Sequence, residues 1–150
     1  MSEPKHRAAI VGLTGIGALR PPEDEGLPVY WTMPVSHASA YYRHPRTDVV
    51  AVCDLREEAL DDFKTNWGDV WPEVRLYTDH REMLRVEEPD LVSVVTSDHC
   101  HADITVAAAE GGTRAILCEK PIATRLADAD RMIAAAEANG VLLSVEHSRR

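Results

Sequence analysis

The stretch Arg7-Ala-Ala-Ile-Val-Gly-Leu-Thr-Gly-Ile-Gly17 carries the signal that decides the fold. Its apolar run stops at Gly12, and the glycines that follow indicate a buried strand entering a tight turn. Gly12 and Gly17 match the first and third places of a dinucleotide-binding fingerprint, whereas Thr14 takes the second place and Gly15 comes one residue later. We therefore predict a pyrophosphate-binding turn, with a plain glycine turn as the alternative. Its residues are Gly12, Thr14, Gly15, Ile16 and Gly17.

The segment from Ala18 to Val35 interrupts the usual pattern, because it is rich in proline and acidic residues and is unsuited to a helix. We predict that it is an inserted loop of about residues 18–35, with Tyr30 and Trp31 forming a lid over the cleft. Ser36 is expected to cap the delayed first helix.

The remaining chain alternates between apolar strands and amphipathic helices. Strands are predicted at 48–54, 74–77, 91–96, 115–118 and 141–145. Two helices are predicted at 56–67 and 102–110. Two more are predicted with side-chain caps, one that begins at Asp79 and ends before Pro89, and one that begins at Thr124 and ends at Asn139. Near-continuous apolar strands are typical of a sheet buried on both faces. The fold class predicted is therefore α/β, a doubly wound parallel sheet of Rossmann type in three α/β/α layers, with residues 1–150 as one dinucleotide-binding domain.

Composition excludes several partner classes. The chain has 16 Lys and Arg against 25 Asp and Glu, a net charge of -9, and no basic block, so we expect no nucleic-acid surface. No apolar run reaches the roughly 20 residues of a membrane span, so we expect no membrane partner. Cys53, Cys100 and Cys118 are unpatterned and are interpreted as small core residues, which favours a cytoplasmic location.

Asp54 ends the second predicted strand, at the edge where ligands bind in such sheets. We predict that Asp54, followed by Leu55 and Arg56, holds the adenosine ribose and favours NAD over NADP; a helix cap is the alternative for Asp54. Arg56 complicates this preference, because its guanidinium is suited either to stacking on adenine or to binding a 2′-phosphate.

Two further clusters follow strand ends. Thr96, Ser97 and His99 are predicted to line the cofactor site, and His101 is predicted to lie near the reactive ring of the cofactor. One alternative is that this cluster binds zinc. The other is that His101 only begins a helix and binds no ligand. In the second cluster, Pro121 restricts Lys120 to an extended conformation beside Glu119. A lysine held near a carboxylate is able to donate to a substrate oxygen, and a surface ion pair is the alternative.

These motifs together resemble a known family. Residues 49–54, 89–101, 118–123 and 147–150 are similar to the N-terminal dinucleotide-binding domain of the glucose-fructose oxidoreductase and inositol dehydrogenase family, Gfo/Idh/MocA. The resemblance implies that Glu119 contacts the nicotinamide ribose, that Lys120 binds or polarises the reacting substrate oxygen, and that His101 lies near the nicotinamide. It also implies a C-terminal substrate domain, absent here, which usually supplies the oligomer interface.

The function expected from this resemblance is NAD(P)-dependent hydride transfer to or from a sugar, polyol or related small molecule. Lys120 and His101 are the predicted catalytic residues, and the domain alone is expected to be catalytically incomplete. The alternatives are a non-catalytic nucleotide-binding module or redox sensor, and a domain for another adenine nucleotide such as a methyl donor. We also expect a homo-oligomer, because apolar surface exposed where a second domain docks favours association.

Overall fold

The computed structural model describes residues 4–21 and 34–147, which form one six-stranded sheet. All pairings are parallel, and the spatial order is β3-β2-β1-β4-β5-β6. The strands are β1 (His6–Val11), β2 (Thr47–Cys53), β3 (Arg75–Tyr77), β4 (Leu91–Val94), β5 (Ala115–Glu119) and β6 (Leu142–Glu146). The predicted doubly wound parallel sheet is confirmed.

Five α-helices within residues 34–147 connect these strands and cover both faces of the sheet. They are α1 (His37–Arg43), α2 (Glu57–Trp67), α3 (His80–Glu87), α4 (His101–Glu110) and α5 (Leu126–Asn139). Alternate residues of β1 enter different cores: Ala8 and Ile10 pack with α1 and α2, whereas Ala9 and Val11 pack with α3, α4 and α5. Successive strand side chains point to opposite faces, so one apolar run supplies both cores and creates the three layers.

The strand order reverses between β1 and β4, because β1 pairs with β2 on one side and with β4 on the other. In β1, Val11 lies opposite both Cys53 of β2 and Val94 of β4. The residues after these three strand ends therefore converge at the switch point, where doubly wound sheets bind ligands.

The predicted helix starts are confirmed in two cases and wrong in one. The Ser36 hydroxyl accepts from the Ser39 amide at 3.0 Å, and Asp79 accepts from the Arg81 amide at 2.8 Å. Thr124, however, does not cap α5, whose N-cap is Arg125. The Arg125 side chain instead donates to Asp128 in the first turn, at 2.8 Å between Nε and Oδ2. This ion pair lies near the helix N-terminus, where an acidic side chain is favourable.

The chain leaving the glycine turn is fastened to the end of α2. Trp67 is fully buried, and its indole Nε1 donates to the Ala18 carbonyl at 2.7 Å. Arg20 lies over the Trp67 ring and pairs with Asp69. Residues 22–33, including the predicted lid residues Tyr30 and Trp31, lie outside the described residues. In the part of the chain that is described, no helix is long and apolar enough to cross a bilayer.

Candidate functional site

The glycine turn has the backbone geometry that the fingerprint requires at its first and third positions. Gly12 has φ +95°, and an added Cβ atom would lie 2.5 Å from the Val95 carbonyl oxygen. A Cβ atom on Gly17 would lie 2.2 Å from the Gly12 carbonyl oxygen. At both positions, only glycine permits this backbone packing.

Gly15 differs from its two neighbouring glycines. It has φ +53°, and apart from its chain neighbours no described residue has an atom within 4 Å of the place where a Cβ atom would stand. The missing side chain therefore leaves the outer surface of the turn open, as close approach by a ligand requires. The residues present fit a pyrophosphate here, with Gly15 taking the part expected of the middle fingerprint position.

Asp54 is held in one orientation by backbone amides on both sides. Its Oδ2 accepts from the Leu13 amide at 3.0 Å, and its Oδ1 accepts from the Arg56 amide at 3.0 Å. The Arg56 Nε lies 3.6 Å from Asp54 Oδ1, and the guanidinium is largely exposed. The carboxylate is thus tied to the glycine turn itself, and its remaining acceptor positions stay available for ligand hydroxyls.

A cleft of about 820 Å³ runs along these strand ends, within the size range of small-molecule sites. The predicted residues that line it are Gly12, Thr14, Ile16, Asp54, Leu55, Arg56, Thr96, Ser97 and His99. The predicted residues Gly15, Gly17, His101, Glu119, Lys120 and Pro121 are not among its lining residues.

His80, which the sequence analysis did not select, also lines the cleft. Its Nε2 is buried and has no hydrogen-bond partner among residues 4–21 and 34–147. Burial, with help from the neighbouring Arg81, lowers the pKa of His80 and so favours the neutral ring.

His101 is buried rather than open to the cleft. Its Nδ1 lies 2.9 Å from the Pro121 carbonyl oxygen, and its Nε2 lies 3.1 Å from the Thr96 carbonyl oxygen. The ring is 1% exposed. This placement bridges the loop after β4 and the turn after β5, which favours a positioning role for His101 over contact with a substrate.

The Glu-Lys-Pro segment follows directly at the end of β5. Glu119 is buried, and its Oε2 accepts from the Lys120 amide at 3.2 Å. Lys120 itself is exposed in this domain. The peptide bond between Lys120 and Pro121 is cis. The register of β4 and β5, in which Val94 lies opposite Cys118, places this segment beside the loop that begins at Thr96.

Glu119 has a buried side-chain partner that sequence reasoning missed. The His37 Nε2 lies 3.1 Å from Glu119 Oε1, and its Nδ1 lies 2.9 Å from the Ser93 hydroxyl. Tyr41 reaches the same hydroxyl at 2.9 Å. A serine inside a strand that is otherwise apolar was the available signal, since a buried polar group requires a partner.

Metal ligation was the alternative considered for the loop that ends at His101. Among residues 4–21 and 34–147, no group of three or more His, Cys, Asp or Glu side chains is arranged to hold a metal ion.

The fold and the site define a class of protein. A doubly wound parallel sheet, a glycine turn after β1 and a backbone-anchored carboxylate after β2 together form a dinucleotide-binding domain. The profile of an oxidoreductase family with an NAD-binding Rossmann fold, GFO_IDH_MocA, matches residues 33–147. The chain belongs to this family, as the resemblance predicted.

Similar proteins include characterised dehydrogenases. The chain is 36% identical over 115 residues to a D-apiose dehydrogenase of Paraburkholderia graminis, covering 77% of this chain and 29% of that protein. It is 33% identical over 97 residues to an inositol 2-dehydrogenase of Salmonella typhimurium, covering 62% of this chain and 26% of that protein. The chain therefore spans less than a third of the length of these two relatives.

Structural similarity extends over nearly the whole chain. The WlbA dehydrogenase of Bordetella pertussis, whose structure was solved with NADH and UDP-GlcNAcA, superposes with a TM-score of 0.71. The match covers 95% of this chain and 37% of that one at 24% identity, which supports the fold alone.

Proposed function

We propose that this domain binds NAD and serves hydride transfer between the nicotinamide and a carbinol carbon of a sugar, polyol or related small molecule. The observation that carries the proposal is the clamped Asp54 carboxylate beside an open glycine turn. In this proposal the turn at residues 12–17 holds the pyrophosphate, and Asp54 accepts from the adenosine ribose hydroxyls. Leu55, Thr96, Ser97 and His99 complete the walls of the cofactor site.

NAD is the cofactor favoured over NADP. A carboxylate at the ribose repels a 2′-phosphate, and Asp54 already uses part of its acceptor capacity to fix its own orientation. Arg56 lies against this same carboxylate, so the Asp54 charge partly compensates the positive charge of the guanidinium. Binding of NADP would require the guanidinium to turn toward the phosphate.

The nicotinamide side is assigned to the segment after β5. Glu119 accepts from the nicotinamide ribose, while Lys120 binds the substrate oxygen and gives or takes a proton at Nζ. The cofactor supplies the hydride acceptor or donor. His101 holds the turn that carries Pro121, so we assign it a positioning role in support of Lys120.

The substrate class rests on the relatives, which are named for apiose, inositol and glucoside substrates. In this proposal a second domain supplies the rest of the substrate pocket, and the complete protein assembles as a homo-oligomer. The three free cysteines are consistent with our proposal of a reducing, cytoplasmic environment.

Calorimetric titration of the 150-residue chain with NADH and NADPH in parallel tests the cofactor assignment. We expect saturable binding of NADH, at least about tenfold tighter than NADPH because of the charge at Asp54. Equal or tighter NADPH binding would overturn the preference. Absence of binding by both would remove the support for the site as described.

The hydride-transfer role is tested in a chain that also carries the substrate domain. We expect Lys120→Met to lower kcat for polyol oxidation by about 100-fold or more, the usual scale for a proton-transfer group. Lys64→Met, on an exposed position of α2, is the matched control and leaves kcat unchanged. An active Lys120→Met variant would exclude Lys120 as the catalytic group.

A further inference from the structure

A buried chain of hydrogen bonds connects α1 to the end of β5. It runs from the Tyr41 hydroxyl to Ser93, from Ser93 to His37, and from His37 to Glu119, with heavy-atom distances of 2.9, 2.9 and 3.1 Å. Ser93, His37 and Glu119 are 0%, 5% and 7% exposed. Three separate elements, α1, β4 and β5, therefore meet through polar side chains rather than through apolar packing alone.

The chemistry of these groups sets the direction of the hydrogen bonds. An ionised Glu119 only accepts, so the proton of a neutral His37 must be on Nε2. Nδ1 is then an acceptor for the Ser93 hydroxyl, and the Ser93 oxygen accepts from Tyr41. Burial raises the pKa of Tyr41 despite the bond to Ser93, so its hydroxyl keeps the proton that it donates. Every group in the chain is satisfied by this one arrangement.

We infer that His37 is a positioning residue that orients the Glu119 carboxylate toward the nicotinamide ribose and so couples α1 to the Glu-Lys-Pro segment. The inference rests on the proposed function, in which Glu119 meets that ribose. Glu119 Oε2 is already tied to the Lys120 amide at 3.2 Å, so the His37 bond to Oε1 fixes the second oxygen. Both oxygens together determine the plane of the carboxylate, and hydrogen bonds to an ionised group are the stronger kind.

Two substitutions of His37 separate orientation from simple packing. The amide nitrogen of glutamine reaches about as far as Nε2, so His37→Gln keeps a donor for Glu119. The shorter side chain of asparagine reaches only about as far as Nδ1, so His37→Asn keeps a partner for Ser93 and leaves Glu119 without its donor. Both variants replace the imidazole ring by a neutral amide. A difference between them therefore reflects where the amide lies and not the loss of the ring.

Affinities for NADH and for ADP, measured by calorimetry, distinguish the two ends of the cofactor site. ADP lacks the nicotinamide and its ribose, so in the proposed site it contacts only the part formed by Asp54 and the glycine turn. We expect His37→Asn to weaken NADH binding by about tenfold or more, as loss of a bond to a charged group does, while ADP affinity is unchanged. His37→Gln is expected to stay within about threefold of the unaltered chain for both ligands.

The proposal is overturned if the two variants lose NADH affinity equally, if neither loses it, or if ADP affinity falls in parallel. If the unaltered chain binds neither NADH nor ADP, the proposed function fails instead.

A measurement on the unaltered chain keeps the inference testable if His37→Asn does not fold. Nitrogen-15 NMR of the imidazole rings identifies the tautomer of each histidine. We expect His37 to carry its proton on Nε2, with its signals assigned by their loss in His37→Gln. A ring protonated on Nδ1 alone would mean that His37 does not donate to Glu119, which would overturn the proposal.

Discussion

Asp54 and Glu119 are carboxylates in equivalent positions, each directly after a buried cysteine at the end of a parallel strand, yet they are held differently. Asp54 is fixed by the amides of Leu13 and Arg56, which belong to the backbone of the turns around it. Glu119 is fixed on one oxygen by the side chain of His37, 82 residues away in sequence. In the proposed site, the adenosine side around Asp54 therefore depends on backbone amides alone, whereas the nicotinamide side around Glu119 also depends on a side chain that is distant in sequence.

Because of this difference, substitutions of the residues that hold Asp54 and Glu119 are expected to have unequal effects. Every residue except proline has a backbone N–H, so other substitutions at Leu13 or Arg56 leave the Asp54 bonds in place. Glu119 keeps its bond from the Lys120 amide, but the bond to its other oxygen is lost by one substitution at His37 in α1. Disturbing the adenosine side therefore requires a change of backbone conformation or of Asp54 itself.

The largest effect is expected at Gly12, where the backbone of the adenosine side is tightest. Gly12→Ala places a methyl group 2.5 Å from the Val95 carbonyl oxygen at φ +95°, and we expect a loss of about 3 kcal/mol or more in the free energy of unfolding. Gly15→Ala has open space and φ +53°, so about 1 kcal/mol is expected. Urea unfolding followed by circular dichroism measures both. Equal stabilities of the two variants would contradict this account of the turn.

A smaller effect, confined to binding, is expected at Asp54. Asp54→Asn keeps one acceptor but directs an amide nitrogen at a backbone N–H, and it removes the charge that faces the ribose. We expect NADH and ADP to bind about tenfold more weakly, with less discrimination against NADPH. ADP sensitivity is what separates this variant from His37→Asn. Unchanged ADP affinity in Asp54→Asn would mean that the adenosine ribose does not meet this carboxylate.

The smallest effect is expected from the cysteines that precede the two carboxylates. Burial raises the pKa of Cys53 to about 12 and that of Cys118 to about 11, with smaller contributions from neighbouring carboxylates. Because the thiolate is the reactive form, both should resist a disulfide reagent at about pH 8 until the chain unfolds. Cys100, half-buried at the wall of the cleft, should react first and be protected by NADH. Rapid labelling of Cys53 or Cys118 in the folded chain would show that these strand ends open.

Most of the fold was accessible from the sequence because its strands are buried on both faces. Continuous apolar runs, such as that ending at Cys53, distinguish such strands without any knowledge of their neighbours. The correctly predicted helix starts at Ser36 and Asp79 also depend on local contacts. The wrong start at Thr124 shows the limit of that logic, since Arg125 formed an ion pair with Asp128 and the helix began without a side-chain cap.

The site was accessible only where its sequence signal is local. Asp54 was identified from its place after a strand, which requires no knowledge of its partner Leu13, 41 residues away. The contact of His37 with Glu119 and the burial of His101 depend on how α1, β4 and β5 come together, which no short pattern encodes. The exposure of Lys120 likewise depends on what covers the end of β5.

The contact between Trp67 and the Ala18 carbonyl also gives the molecule an optical signal. Two of the three tryptophans of the chain, Trp67 and Trp71, stack with ring centroids 5.1 Å apart, next to the backbone that leaves the glycine turn. Indole emission is sensitive to hydrogen bonding at Nε1 and to nearby charges such as Arg20, which lies over the ring. The fluorescence of this pair can therefore report events at the glycine turn without a label, whereas the hydrogen-bonded chain that ends at Glu119 contains a tyrosine but no indole.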